Sequence, residues 1–333
     1  MTRIDETITV DGKEGSLRLD RWFKRHYPSL GHGQLEKLLR TGRIRIDGKR
    51  ARSGDRIEPG QAIRIPPLVE VAPPARPAPP RPRPADEAML QAAILYRDES
   101  MIVLNKPTGL AVQGGTGTDR HLDAMLDGLR FGNDERPRLV HRLDKETSGA
   151  LVIARTGAAA AYLTRAFREK TSRKTYWAVV VGLPKPRQGR IDLALAKAPG
   201  HGGERVRPDT DEGRRAVTYY RVVESAGSRA SWLALMPVTG RTHQLRAHCA
   251  AIGTPVLGDG KYGEAAAQIA GVPGPRRLHL HARALSIPHP LGGRLEVTAP
   301  LPLHMRRTWE FFGFPADIKD PFADLELPHE TVL

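Results

Sequence analysis

The stretch LVHRLDKETSG at 139–149, with ALVIART at 150–156 behind it, sets a dense polar turn between two apolar runs. The second run is short, continuous and rich in branched residues, which predicts a buried strand. GAAAAYLTRAFREKTS at 157–172 then reads as a helix with Tyr162, Leu163, Ala166 and Phe167 on one side. RKTYWAVVVG at 173–182 follows as a strand, with Lys174 and Tyr176 on one face and Trp177 on the other. A polar turn held between buried strands is a rigid place to present one reactive group. Asp144 is the carboxylate in its middle, and the flanking Arg142 and Lys145 favour its ionised form. The same residues also suit an ion-paired Asp in a structural turn, and local chemistry alone leaves both readings open.

Outward from this turn, strands dominate. ILYRDESMIVLNKP at 94–107 contains a strand pair that ends at Pro107. AVTYYRVVES at 216–225, ASWLALMPV at 230–238, the segment 276–290 and GRLEVTAPLP at 293–302 add further strands. TGRTHQLRAHCAAIG at 239–253 reads as a turn into a helix, with Arg241 directly after Thr-Gly and with Arg246 and His248 pointing elsewhere. Strands outnumber helices, so the fold class is α+β. An extended mixed, mainly antiparallel sheet flanked by helices around a central cleft is expected, rather than a doubly wound nucleotide fold.

The N-terminal part is a separate small unit. Leu19, Trp22 and Phe23 share a helical face, and Leu35, Leu38 and Leu39 form the stripe of a second helix closed by Gly42. Asp47-Gly48 marks a tight turn, and a closing strand ends near Pro66. Two helices followed by a small sheet are expected over 16–66. Its cations crowd one helix-turn-hairpin: Lys37, Arg40, Arg43, Arg45, Lys49 and Arg50. A solubilising surface is the ordinary reading of such a run. With few acids among them, an RNA-backbone contact patch is the better one. Residues 67–88 are crowded with Pro and Arg and read as an extended linker. Residues 89–314 form the large domain, and 315–333 an acidic extension.

The formal charge of +15 on 333 residues points to a polyanionic partner. No long apolar run or signal-like leader favours a membrane, which leaves nucleic acid and a cytoplasmic location as the expectation. Cys249 is the sole cysteine, so no internal disulfide or Cys-based zinc site forms, and it reads as a buried structural thiol. VQGGTGTD at 112–119 lacks the Lys-Ser/Thr ending of a phosphate-binding loop. His279, His281, His243, His248 and His289 show no metal-ligand spacing. No metal and no cofactor are expected.

Four motifs in order carry a resemblance: NKPTGLAVQGG at 105–115, HRLDKETSG at 141–149, RKTYWAVVVG at 173–182 and TGRTHQLRAH at 239–248. LHLHARALSIPHP at 278–290 supports them. Together they resemble the RluA-type family of RNA pseudouridine synthases over about 90–313. RLDRW at 18–22 and LLRTGRIRIDGK at 38–49 resemble the S4 RNA-binding domain, which commonly precedes that catalytic domain. The resemblance implies that Asp144 is the catalytic aspartate. Tyr176 is then the tyrosine that stacks on the target base, and Arg241 the arginine that ion-pairs with Asp144. Arg142 helps displace the flipped uridine, and Lys106, Gln113 and Lys174 join it in contacting RNA. Gln113 stands where many relatives have His.

Within the family the likeness is greatest to the RluC type, through LAVQGGTGT and the segment 180–197. That implies a monomeric enzyme acting on 23S large-subunit ribosomal RNA, or its assembly precursor, near the peptidyl transferase centre. An RluD-like enzyme acting on another helix, and a non-catalytic RNA-binding ribosome-assembly protein, are the competing readings.

Overall fold

The computed structural model describes residues 5–14, 17–68, 83–115, 118, 120–198, 205–274 and 276–325. It divides into two compact units, Met1–Pro80 and Arg81–Leu333. In the first, β1 (Glu6–Thr9) precedes α1 (Leu19–His26) and α2 (His32–Arg40), and β2 (Arg45–Ile46), β3 (Lys49–Arg50) and β4 (Ala62–Ile65) complete a four-stranded sheet. The two helices and hairpin match expectation. Strand β1 was not anticipated. Its sequence ETIT is mostly polar, and its place comes from antiparallel pairing with β4, Ile8 opposite Ile63. Leu19, Trp22, Phe23, Leu35 and Leu39 bury one face of each helix against Ile44, Ile57 and Ile63.

The second unit opens with α3 (Pro84–Ala92). This corrects the linker assigned to 67–88. Pro84 sits at the first helical position, where its missing N–H costs nothing, and Asp86 and Glu87 follow in the first turn. Leu90 is then buried. The linker residues 69–82 lie outside the described residues. After α3 come β5 (Ile94–Arg97), β6 (Met101–Lys106), α4 (Leu122–Met125), β7 (Arg138–Leu139), β8 (Ser148–Ala154), α5 (Gly157–Arg168) and β9 (Arg173–Val181). Next are β10 (Gln188–Asp192), β11 (Leu195–Ala198), β12 (Arg205–Pro208), β13 (Val217–Ala226) and β14 (Ala230–Pro237). The described chain ends with α6 (Gln244–Ala251), β15 (Leu280–Pro288), β16 (Arg294–Thr298) and α7 (Leu303–Phe312).

One ten-stranded sheet organises this unit, in the order β10-β13-β14-β9-β15-β8-β6-β5, with β16 beside β15 and β7 beside β8. Among the described strands, β8 and β15 are the parallel pair. The mixed, mainly antiparallel sheet is therefore as expected. Period-two alternation divides its two faces. Ile102, Leu104, Leu151, Tyr176, Ala178 and Leu235 pack with α3, α4 and α6 on one side. Met101, Val103, Val152 and α5 pack on the other, continued by Trp177, Trp232 and α7.

The acidic segment after 314 is part of this fold as far as Leu325. Phe322 is buried against Ala234 and Met236. Arg221 binds the Asp324 carboxylate through both terminal nitrogens, at 2.9 and 3.1 Å, and Asp320 pairs with Arg173 at 2.9 Å. Residues 326–333 lie outside the described residues.

Candidate active site

A row of residues crosses the sheet and builds the site. Lys106 pairs with Gly149, Gly149 with Ala282, Ala282 with Tyr176, and Tyr176 with Leu235. Paired positions in a sheet present the same face. The Asp144 turn enters β8 at one end of this row. Tyr176 stands two strands away, and the Thr239–His243 turn leaves β14 just beyond it.

Three anchors hold the Asp144 turn. His141 Nε2 accepts from Val152 N at 2.8 Å, and its ring lies 4.3 Å from that of Phe167. Burial, with Lys174 nearby, pushes the His141 imidazole down to about 3, so it is the neutral acceptor this bond requires. Thr147 N donates to Asp144 O at 3.1 Å, closing the turn. Lys106 Nζ donates to the carbonyls of Pro107, Leu110 and Lys145 at 2.9, 2.8 and 3.0 Å. Lys106 is fully buried, and burial pushes its pKa down to about 7 against the opposing pull of Glu146 and Asp144. Its assignment as an RNA-contacting residue is thus corrected. The ammonium clamps the 107–110 turn to the Asp144 turn and does not reach solvent.

The turn opens into a cleft of about 1580 Å³ lined by Asp144, Tyr176, Arg241, Arg142 and Lys174 among others. That exceeds a small-molecule pocket of roughly 300–1,000 Å³. Ten Lys and Arg side chains line it against two carboxylates, Asp144 and Glu169, so it suits a polyanion. Lys174 and Tyr176 share the cleft face of β9, while Trp177 joins the opposite core, as alternation required. Lys174 Nζ lies 5.7 Å from the Phe167 ring, and burial lowers its pKa. Burial and the Asp144 carboxylate raise the Tyr176 phenol well above its ordinary value, so it stays protonated.

One further expectation changes. The Arg241 guanidinium does not pair with Asp144 among the described residues. Its Nε donates to Arg215 O at 3.1 Å, and its backbone N–H is taken by the Gln244 side chain at 3.0 Å. Gln244 fixes the turn so that the Arg241 side chain lies exposed along the rim. Gln113 is exposed in its loop and is not among the residues lining the cleft. Of that loop, Thr116, Gly117 and Asp119 lie outside the described residues.

The sequence reading overlooked His243 as a neighbour of Asp144. Its Nε2 lies 4.0 Å from Asp144 Oδ2, and its Nδ1 lies 3.0 Å from Tyr262 Oη. Arg246 is beside them, held to Asp259 by a buried two-point ion pair at 2.7 Å on each arm. His248 is buried against Thr218 and Leu193, away from the cleft. No spacing in the sequence marks His243 and Tyr262, because three distant turns bring them to Asp144.

Of the histidines set aside as ligands, His279 and His281 are structural. His281 Nδ1 meets Ser148 Oγ at 2.8 Å, and His279 Nε2 meets Thr308 Oγ1 at 2.8 Å. Among the described residues no cluster of His, Cys, Asp or Glu is placed to hold a metal ion. Cys249 is fully buried, and burial pushes its thiol up to about 12, which rules out nucleophilic duty.

In unit one Lys37, Arg40, Arg43, Lys49 and Arg50 are exposed along α2 and the hairpin after it. Arg45 differs. Its guanidinium donates to Gly42 O at 3.2 Å and Gly48 O at 2.8 Å, bracing the hairpin. No helix among the described residues is long and apolar enough to cross a membrane.

Comparison with known proteins identifies the family of the chain. A sequence model of the family described as RNA pseudouridylate synthase matches residues 100–251, which include the Asp144 turn, β9 and all of α6. The chain is 35% identical to an RNA pseudouridine synthase of Synechocystis sp., over 90% of this chain and 91% of that one. It is 33% identical to the ribosomal large subunit pseudouridine synthase C of Vibrio cholerae, over 90% and 94% of the two chains. The solved structure of human RNA pseudouridylate synthase domain containing 4 superposes with a TM-score of 0.58 at 28% identity, covering 68% of this chain and 95% of that one. With identity at this level along nine-tenths of its length, the chain belongs to the RluA-type family of RNA pseudouridine synthases and is a pseudouridine synthase.

Proposed function

We propose that the protein converts specific uridines of 23S large-subunit ribosomal RNA to pseudouridine near the peptidyl transferase centre, with Asp144 as the catalytic carboxylate. The observation that carries the chemical part is Asp144 itself, half-buried and clamped at the mouth of a cleft where ten Lys and Arg side chains face only two carboxylates. The names of the relatives called synthase C, in Vibrio cholerae and Rickettsia conorii, support the choice of RNA. The resemblance of unit one to an S4 domain, and its exposed α2–hairpin cations, support docking on structured RNA. The enzyme then works in the cytoplasm, as a monomer.

The isomerisation breaks N1–C1′, turns the base and joins C5 to C1′. One proton leaves C5 and one arrives at N1, so no atoms are gained or lost. The uridine is first drawn out of its stack, at a cost of a few kcal/mol. Arg142 on the Asp144 turn fills the vacated place, and Lys174 meets the phosphate backbone from the cleft wall. Asp144 assists N1–C1′ cleavage, by attack at C1′ or by stabilising the charge as a glycal-like species forms. Tyr176 stacks on the base. Its phenol, held protonated, offers an O–H for hydrogen bonding, and any proton lost from C2′ goes to Asp144. Arg241 leaves the Arg215 carbonyl as RNA enters and turns its guanidinium toward the carboxylate.

Asp144→Asn keeps the size and removes the charge. Tritium release from uridine-labelled ribosomal RNA should fall to background, and near wild-type release would sink the assignment. Mapping the uridines left unmodified in a deletion strain tests the choice of RNA. Loss at sites away from the peptidyl transferase centre would favour the RluD-like alternative.

A further inference from the structure

The hydrogen bonds around Tyr262 favour one tautomer of His243. Tyr262 Oη accepts from Val206 N at 2.9 Å. Its own hydrogen then has His243 Nδ1 as acceptor at 3.0 Å. With Nδ1 accepting, the neutral ring carries its proton on Nε2, the nitrogen that faces Asp144 Oδ2 across 4.0 Å. Burial lowers the His243 pKa, which keeps the ring neutral.

The backbone is committed to the same end. His243 adopts φ 51 and ψ 18, the left-handed region, directly before α6. A non-glycine residue there is uncommon, and such residues cluster where a side chain must be aimed. The turn is held by Gln244, whose Oε1 accepts from Arg241 N and from Thr239 Oγ1, while its amide donates to Val217 O. Tyr262 is held in turn by Asp259, which accepts from Tyr262 N at 3.0 Å and anchors Arg246. Each partner of His243 is therefore fixed, while the Arg241 side chain points to Arg215.

We propose that His243 is a positioning residue that presents its Nε2–H to the Asp144 carboxylate, and that Tyr262 sets the tautomer that makes this possible. The inference rests on the reading of Asp144 as the catalytic carboxylate. At 4.0 Å the two groups are beyond hydrogen-bond length, so the carboxylate is free to turn toward C1′. A shift of about 1 Å closes the bond, as catalytic contacts tighten on substrate entry. A neutral N–H donor steadies the carboxylate without drawing off its charge, which a cation in permanent contact would do.

Two variants at position 243 separate aiming from backbone strain. Asparagine is at home in the left-handed region, but its short amide does not reach Asp144. Glutamine puts an N–H where Nε2–H stood, at some backbone cost. His243→Gln should keep kcat within about tenfold of wild type. His243→Asn should lose about a hundredfold, the usual loss for one aimed donor, with KM for ribosomal RNA transcript unchanged. A purely structural role gives the opposite order, His243→Asn more active than His243→Gln, and would overturn the proposal.

Tyr262→Phe provides an independent arm. It frees Nδ1, so the ring adopts either tautomer and kcat falls at pH 8. His243 is faced by Asp144, Asp259, Arg246 and Lys261, and by Tyr262. Below its pKa, which burial holds under the ordinary imidazole value, both nitrogens carry N–H, so the ratio of variant to wild-type kcat should recover only as pH falls well below that ordinary value. A flat ratio would count against the tautomer argument. Asp144→Asn, measured in parallel, keeps the two readings apart. If it is active, the Asp144 assignment fails; if it is dead while His243→Asn is unimpaired, only the role of His243 fails.

Discussion

The backbone of Gly149 runs so close to Ala282 that a Cβ at position 149 would lie 2.3 Å from the Ala282 carbonyl oxygen. Gly149 also has φ +112, which L side chains rarely adopt. This contact lies within the parallel pairing of β8 with β15, which joins Ser148 to His281 and Gly149 to Ala282 directly behind the Asp144 turn. Only a residue without a side chain lets the two strands meet there. Gly149→Ala should therefore separate them, destabilise the fold by about 2–4 kcal/mol and reduce turnover by displacing Asp144. Urea titration and tritium release check both effects, and an unchanged midpoint would contradict the contact.

Lys106→Met preserves most of the volume and removes the donor shared by three carbonyls. Each buried carbonyl left unpaired costs about 1–3 kcal/mol, partly offset by the relief of burying an ammonium. The turnover rate should fall while RNA affinity holds, since the Asp144 turn loses its clamp and Lys106 does not reach RNA. The pH dependence gives a second signature. The folded pKa of about 7 lies below the unfolded value, so between pH 7 and about 10.4 the unfolded chain binds more protons and stability rises with pH. That rise should be missing in Lys106→Met.

Acid should unfold the second unit through its buried histidines. Burial pushes His279 and His281 down to about 4 and His141 to about 3. Their unfolded values lie near 6.5, so below that pH the unfolded chain binds more protons. The stability they contribute is complete above pH 6.5 and lost as pH falls to about 4, on the order of 3 kcal/mol per ring. Denaturant midpoints between pH 7 and 4 measure this. His281→Asn, which cannot take up that proton, should flatten the slope.

The exposed cations of unit one should govern salt dependence rather than chemistry. Replacing Lys37, Arg40, Lys49 and Arg50 together by Gln should lower the slope of log K against log salt by roughly 3, at about 0.7–0.9 per phosphate contact. Single-turnover rates at saturating RNA should stay unchanged. An unaltered slope would remove unit one from the RNA contact. Arg45 is left out of the set because it braces the hairpin.

Much of this architecture is legible in local pattern. Two-residue alternation divides Lys174 and Tyr176 from Trp177, and the apolar runs around HRLDKETSG locate a rigid turn. Those features are local because a strand's two faces and a turn's polarity are set by neighbouring residues. Strand β1 is different, since its polar sequence becomes a strand only by pairing with β4. The start of α3 at Pro84 was masked by the prolines before it, although Pro at the first helical position is a favourable start.

By itself the sequence determined the fold class, the basic character of the chain and the motifs that surround Asp144, because periodicity, charge and local spacing lie along the chain. Tertiary structure alone decided what each polar side chain meets. It buried Lys106 among three carbonyls, turned Arg241 to Arg215 and brought His243 and Tyr262 to Asp144. Those outcomes depend on the register of β8, β15, β9 and β14 and on the turns that leave them, and register is a relation between distant segments that no local pattern encodes.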